Sequence, residues 1–292
     1  MTVPPPDGSR DRRIEDPTNL WLIHPAARAL LSPALRAGVS ANAVSFAGLA
    51  FGIGAAASYA HWHSRWAVLL GLALSAAWLV ADGLDGMVAR ATGTASPLGR
   101  FLDGVVDHGV FILIYVSLAS TIGTAEVWAL AILAGAAHAT QSMLYEGERA
   151  RFHRRARGRA DLSGVAPTDG IHWLVRGYDR VATLPDRLAA PFERMLALRR
   201  DPLAAGQAYA RAAVPIMRLQ SLLSANMRVW MIALACLLGN PRIFWWAEIV
   251  PLSLIALVGL RLHRRLERGF VSTTQPIRGG EPFSAALPTR DF

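Results

Sequence analysis

The chain is 292 residues long, 53% hydrophobic and only 17% charged, where soluble globular domains carry about a quarter charged residues. Its formal net charge is +9, all 30 basic residues are Arg, and the single Cys236 lies in an apolar run, which excludes an internal disulfide framework. With a positive mean hydropathy of +0.30, this composition argues against an ordinary soluble domain and for a membrane protein.

Residues 1–17 are polar and Pro-rich and read as a flexible tail, without the apolar core of a cleavable signal peptide. Within residues 18–37, Trp21, Leu22, Ile23, Leu30, Leu31 and Leu35 alternate with Arg28 and Pro, which predicts an amphipathic helix on the membrane surface. Six apolar segments follow, at roughly 43–59, 66–90, 98–120, 127–145, 217–238 and 243–260. Each approaches the roughly 20 residues that cross a hydrocarbon core of about 30 Å. Runs of this length suit helices, not barrel strands. The expected fold is therefore all-α, a polytopic integral membrane protein with six transmembrane helices: spans 1–4 within residues 38–157, spans 5 and 6 within 216–268.

Between them, residues 158–215 read as a cytoplasmic or interfacial insert. Pro185, Pro191, Pro202 and Pro215 are expected to cut it into short helices, and Leu184, Leu188, Phe192, Met195 and Leu196 recur at helical spacing. That apolar content is too thin for a core of its own. Residues 269–292 read as a flexible C-terminal tail.

A charge of +9 alone fits nucleic acid or anionic lipid, but the distribution of Arg selects the membrane. Loops 61–65 and 239–242 carry one Arg each and loop 121–126 none, whereas the opposite side carries the dense run of Arg149–Arg159 and most others. The positive-inside rule makes that side cytoplasmic, with both termini there. No nucleic-acid partner is expected.

Four carboxylates interrupt this apolar pattern: Asp82 and Asp85, three apart, and Asp103 and Asp107, four apart. Each pair shares a helix face. Counting 1.5 Å per residue inward from Trp66 and Ser120 places all four in the cytoplasmic third of the bilayer, at similar depths on consecutive antiparallel helices. A bare carboxylate there costs several kcal/mol, so such groups are usually paired, metal-bound or functional. An oxygen-rich cluster of this kind selects hard cations, Mg²⁺ or Mn²⁺, and two ions would balance the four charges. Gly86 and Ala89 remove side-chain bulk beside it, and Arg90 offers a fork for a phosphate oxygen.

The stretch resembles, position for position, the signature of the CDP-alcohol phosphatidyltransferase family, Asp-x2-Asp-Gly-x2-Ala-Arg-x8-Gly-x3-Asp-x3-Asp, with Asp82, Asp85, Gly86, Ala89, Arg90, Gly99, Asp103 and Asp107 in place. The resemblance implies that Asp82, Asp85 and Asp103 ligate metal, and that Asp107 completes a second metal site and deprotonates the acceptor hydroxyl. It implies that Gly86, Ala89, Arg90 and Ser96 hold the CDP donor. Where the family usually has Thr-Pro-Asn-x-x-Thr, this chain has Ser40-Ala41-Asn42-Ala43-Val44-Ser45. Asn42 and Ser45 are the cytidine contacts implied, with the Pro missing and Ser in place of the last Thr. A homodimer in the bacterial inner membrane, with a cytoplasmic active site, is also implied.

The expected activity is transfer of a phosphatidyl group from CDP-diacylglycerol to the hydroxyl of a small polar alcohol, phosphorylated or not, with release of CMP. His108, Gln141, Tyr145, Arg149 and Arg228 are the candidate acceptor contacts; Gln141, Tyr145 and Arg149 recur at four-residue steps, and Arg228 lies deep in the fifth span. Arg228 with Arg149 or Arg218 is expected to recognise an anionic group. Two alternatives stand beside this reading. One moves a phospho-alcohol from a CDP-alcohol to a lipid hydroxyl, as His108 after the last Asp mildly favours. The other is a cation-coupled transporter, which leaves Gly86, Ala89, Arg90 and Gly99 unexplained.

Overall fold

The structure, a computed structural model, describes residues 11–94, 97–162 and 187–273, with side chains for all of these but 97–107. A π-helical turn, Asn19–Ile23, leads into α1 (His24–Arg36), α2 (Ala41–Tyr59), α3 (Arg65–Thr92), α4 (Pro97–Ile122) and α5 (Ala125–Ala156). After α6, over residues 187–197, come α7 (Pro202–Gln220), α8 (Ala225–Leu237), α9 (Arg242–Ala247) and α10 (Ser253–Ser272). The described residues contain no strand, and the protein is all-α and polytopic.

Helix starts are set by short polar side chains. Ser40, Thr124, Asp201 and Ser224 each accept a backbone N–H three residues on, opening α2, α5, α7 and α8; each occupies one donor that a helix N-terminus otherwise leaves unsatisfied. Gly93, in the left-handed region at φ 70°, ends α3.

Packing is closest where side chains are smallest. A Cβ on Gly48 of α2 would stand 3.2 Å from the Ala81 Cβ of α3, and one on Gly52 would overlap Val110 of α4. This small-xxx-small spacing lets helices approach without a hydrophobic driving force between them. Inside the bundle lie Tyr59, Trp78, Ile114, Leu118, Ile232 and Trp245, while Phe46, Trp66, Ile112, Ile132, Leu133 and Leu254 point outward and exposed. An apolar outer face over a packed apolar interior is what a bilayer solvent selects.

Among the described residues, α2, α3, α5 and the run Arg242–Ser272 are long and apolar enough to cross a membrane, and the α7–α8 pair makes a fifth if its 45° bend is counted as one broken span. The described apolar part of α4, His108–Ile122, is shorter. Four to five spans are thus delineated, where the sequence predicts six. The expected fifth span, 217–238, is broken because Ser221 turns its hydroxyl onto the Arg218 carbonyl and Ser224 becomes the cap of α8. The expected sixth continues well past residue 260, to Ser272.

The remaining segments flank this bundle. Residues 11–17, assigned to the tail, are packed, with Ile14 fully buried and Asp16 nearly so. Helix α1 buries Ala27 and Leu31, which join Ala81, Leu84, Met87 and Val88 of α3, and leaves Leu30 outward, as the preceding π-turn leaves Trp21 and Leu22. In the insert, Leu184, Pro185 and their neighbours through residue 186 lie outside the described residues. Pro191 stands within α6, Pro202 opens α7, and Pro215 sits inside α7 without ending it. Proline costs that helix one backbone bond, but Tyr209, Ala213 and Met217 flank it in a buried row that holds both halves. Phe192, Met195 and Leu196 of α6 join these residues, Tyr145, Phe152 and Ile14 in one cluster at the ends of α5 and α10.

Candidate active site

Helix α3 carries Asp82 and Asp85 without interruption past the apolar run to its Gly93 end. Asp85 is buried, at 7% exposure, and its Oδ2 accepts the Ser45 hydroxyl at 2.6 Å. Ser45 also reaches the Ala41 carbonyl at 3.2 Å, so its hydroxyl sits between the first turn of α2 and the carboxylate. Asp82 is half-buried one turn earlier on α3. One turn beyond, a Cβ on Gly86 would stand 3.3 Å from the Nη1 of Arg90, so glycine leaves room for the guanidinium to fold back along the helix. Asn42 is exposed at the first turn of α2. Ala89 is half-buried, and its carbonyl accepts the Thr94 N–H at 2.9 Å as the helix closes.

Asp103 and Asp107 lie on α4, about two turns and one turn before Phe111, but their side chains are outside the described residues, as is Ser96. Further along α4, Val110 and Phe111 are buried, and the Phe111 ring meets Trp78 of α3 edge-on at 5.4 Å. This ring contact joins the two helices, and α2 packs against both. A buried carboxylate with a hydroxyl donor, on a helix face with a second carboxylate, is an oxygen donor set that fits a hard divalent cation.

The expected acceptor contacts separate into two groups. His108 is exposed on α4, its ring 6.2 Å from that of His138. Arg228, by contrast, is fully buried. Its Nε donates to Glu248 at 2.8 Å, Nη2 to the Gln141 side chain at 2.8 Å, and Nη1 to Ser142 and to the Leu223 carbonyl. Gln141 in turn donates to the Glu248 carbonyl at 2.8 Å and to Ser253. These groups form a closed network that ties α5, α8 and the π-turn Glu248–Leu252 (EIVPL) together, with Arg228 away from solvent. Tyr145 is buried in the cluster at the end of α5. Arg149 is partly accessible, its guanidinium bonded to Glu15 at 2.8 Å and Glu146 at 3.3 Å.

That Glu15 contact belongs to a strap that sequence reasoning missed. Residues 11–19 cross the ends of α5, α7 and α8: Arg218 donates to the Arg13 carbonyl, and Asn226 to Asp16 at 3.0 Å. Asp16 also receives Thr18 and the Asn19 N–H, and Asn19 donates to Glu15. A polar, Pro-rich stretch carries no hydrophobic period; Ile14 between charged neighbours was the only signal.

The fold is that of a helical membrane protein, with Asp82 and Asp85 in the last three turns of one apolar helix long enough to cross a membrane. Residues 39–165 match the family model described as CDP-alcohol phosphatidyltransferase. This part of the chain, less than half of its length, is similar to that family, which is one of transferases for substituted phosphate groups. No curated protein and no solved structure matches the chain.

Proposed function

We propose that the protein transfers a phosphatidyl group from CDP-diacylglycerol to the hydroxyl of a small polar alcohol, at the cytoplasmic face of a bacterial inner membrane. The family match gives the coarser reaction, transfer from a CDP-alcohol. The observation that carries the finer reading is the buried Asp85, held by Ser45 beside Asp82 and next to the open Gly86–Arg90 turn.

In this reading Asp82, Asp85 and Asp103 hold a divalent ion, and Asp107 shares a second. Two such ions, Mg²⁺ or Mn²⁺, would neutralise charge on the diphosphate. Ser45 serves as a positioning residue: its hydrogen bond fixes the rotamer of Asp85, as outer partners of metal ligands do. Arg90 binds a phosphate oxygen of the donor, with Asn42, Ala89 and Ser96 around the nucleotide. Asp107 takes the proton of the acceptor hydroxyl. The oxygen so released bonds to the β-phosphorus as the β-phosphorus–oxygen bond to CMP breaks, and CMP leaves with the electron pair. Positioning and charge neutralisation supply most of the catalysis in such transfers. His108 and Arg149, accessible where Arg228 is sealed, are the acceptor contacts we retain, and a homodimer is the expected assembly.

The test is incubation of purified protein with CDP-diacylglycerol, or with CDP-linked small alcohols plus diacylglycerol, against a panel of acceptors. A phosphatidyl-alcohol product identified by mass, with stoichiometric CMP, supports the reading. Product only from the CDP-linked small alcohols would reverse donor and acceptor.

A further inference from the structure

A concave site with neither Asp82 nor Asp85 in its lining stands at the strap. A cavity of about 450 Å³ opens between the strap, the last turn of α5 and the middle of α7, lined by Asp11, Arg12, Arg13, His153, Arg157 and Arg211. It stands one to two turns farther out along α5 than Arg149, about 6–12 Å at the helical rise. The volume suits a small ligand and exceeds the room one water needs.

Among the described residues its lining is one-sided, with Arg12, Arg13, Arg157 and Arg211 beside the single carboxylate of Asp11. That carboxylate is already engaged: Arg13 grips Asp11 through Nε at 3.0 Å and Nη2 at 2.6 Å, and this holds the Asp11 carboxyl below its usual range. Among the described residues Arg12 and Arg211 have no carboxylate partner, and both are exposed. The remaining acids of the strap point elsewhere, Glu15 to Arg149 and Asp16 to Asn226. His153 lines the same wall, and its Nε2 is buried without a hydrogen-bond partner.

We propose that this pocket is an anion site for a phosphate-bearing ligand, separate from the proposed active centre. Guanidinium forks match phosphate oxygens in pairs, and a phosphate there is held by Arg12 and Arg13 from the strap, Arg157 just past the end of α5 and Arg211 from α7. Because three elements converge on it, the bound anion pins the strap whose other end holds Arg149. The phosphate belongs either to a lipid headgroup at the interface or to a soluble small molecule.

The probe for the soluble source is inorganic pyrophosphate, titrated by calorimetry into the full chain in phosphatidylcholine nanodiscs with EDTA, which keeps divalent metal from recruiting it to the carboxylates. The probe for the lipid source is phosphatidic acid, read by native mass spectrometry of protein released from nanodiscs containing it. Wild type is expected to bind one of the two, more weakly as salt rises. The R12A/R211A double variant, with both changes at exposed positions, is expected to lose about tenfold or more in affinity while its CMP release with metal stays unchanged. Pyrophosphate binding assigns a soluble ligand, and selective retention of phosphatidic acid assigns a headgroup. If neither probe binds, or the double variant binds both as wild type does, the proposal is overturned. Its failure leaves the activity reading intact, since CMP release is measured separately.

Discussion

The hydroxyl of Ser45 and the carboxylate of Asp85, 2.6 Å apart, join the start of α2 to the metal-binding face proposed for α3. If Asp85 ligates metal, Ser45→Ala frees its rotamer and should raise the metal concentration for half-maximal activity by about tenfold, with Ser45→Thr restoring it. Titrating Mg²⁺ against initial rate reads both. Arg228 makes a contrasting case. With Glu248 fully buried beside it, removing one member of the pair leaves an uncompensated charge. Arg228→Ala should cost about 3–5 kcal/mol of stability, whereas an R228M/E248L double variant should recover most of it. Thermal unfolding in detergent checks this; a stable Arg228→Ala with lowered acceptor affinity would return the residue to the site.

Elements were legible where their pattern was long and periodic. The apolar runs of α2, α3 and α5 and the Asp spacing on α3 needed only helical geometry. What escaped was decided by partners distant in sequence. The Ser221–Ser224 break depends on where two hydroxyls turn, and the strap holds through Arg149, Arg218 and Asn226, more than 130 residues away. The uninterrupted α7 depends on burial that overrides Pro215. That helix also packs so close to α5 that a Cβ on Gly206 would overlap the Arg155 carbonyl. Beside it Arg155 bonds Glu193 of α6 at 2.8 Å and Glu267 of α10 at 2.6 Å, its guanidinium stacked over Phe192. Gly206→Val should therefore separate α5 from α7 and lower the unfolding midpoint sharply, while Gly269→Ala, in open space on α10, should not. A Gly206→Val protein as stable as wild type would show that this junction does not hold the bundle together.

At the scale of the whole molecule, an apolar bundle carries a polar end, built from the carboxylate face of α3, the strap and the buried ion pairs of α5, α6 and α10. We propose from the Arg distribution that this end is cytoplasmic, so a cysteine introduced at exposed Arg211, in a Cys236→Ala background, should react with a membrane-impermeant maleimide in inverted vesicles and not in right-side-out ones. Labelling of right-side-out vesicles instead would invert the topology. The central claim is that the four Asp residues run a metal-dependent transfer from a CDP donor, and the most direct measurement is CMP release by purified protein supplied with CDP-diacylglycerol and a reactive acceptor. CMP release is predicted to require Mg²⁺ or Mn²⁺, to vanish in EDTA, and to fall by about 10²–10⁴-fold in Asp107→Asn. Undiminished release in EDTA, or an Asp107→Asn variant as fast as wild type, would contradict it.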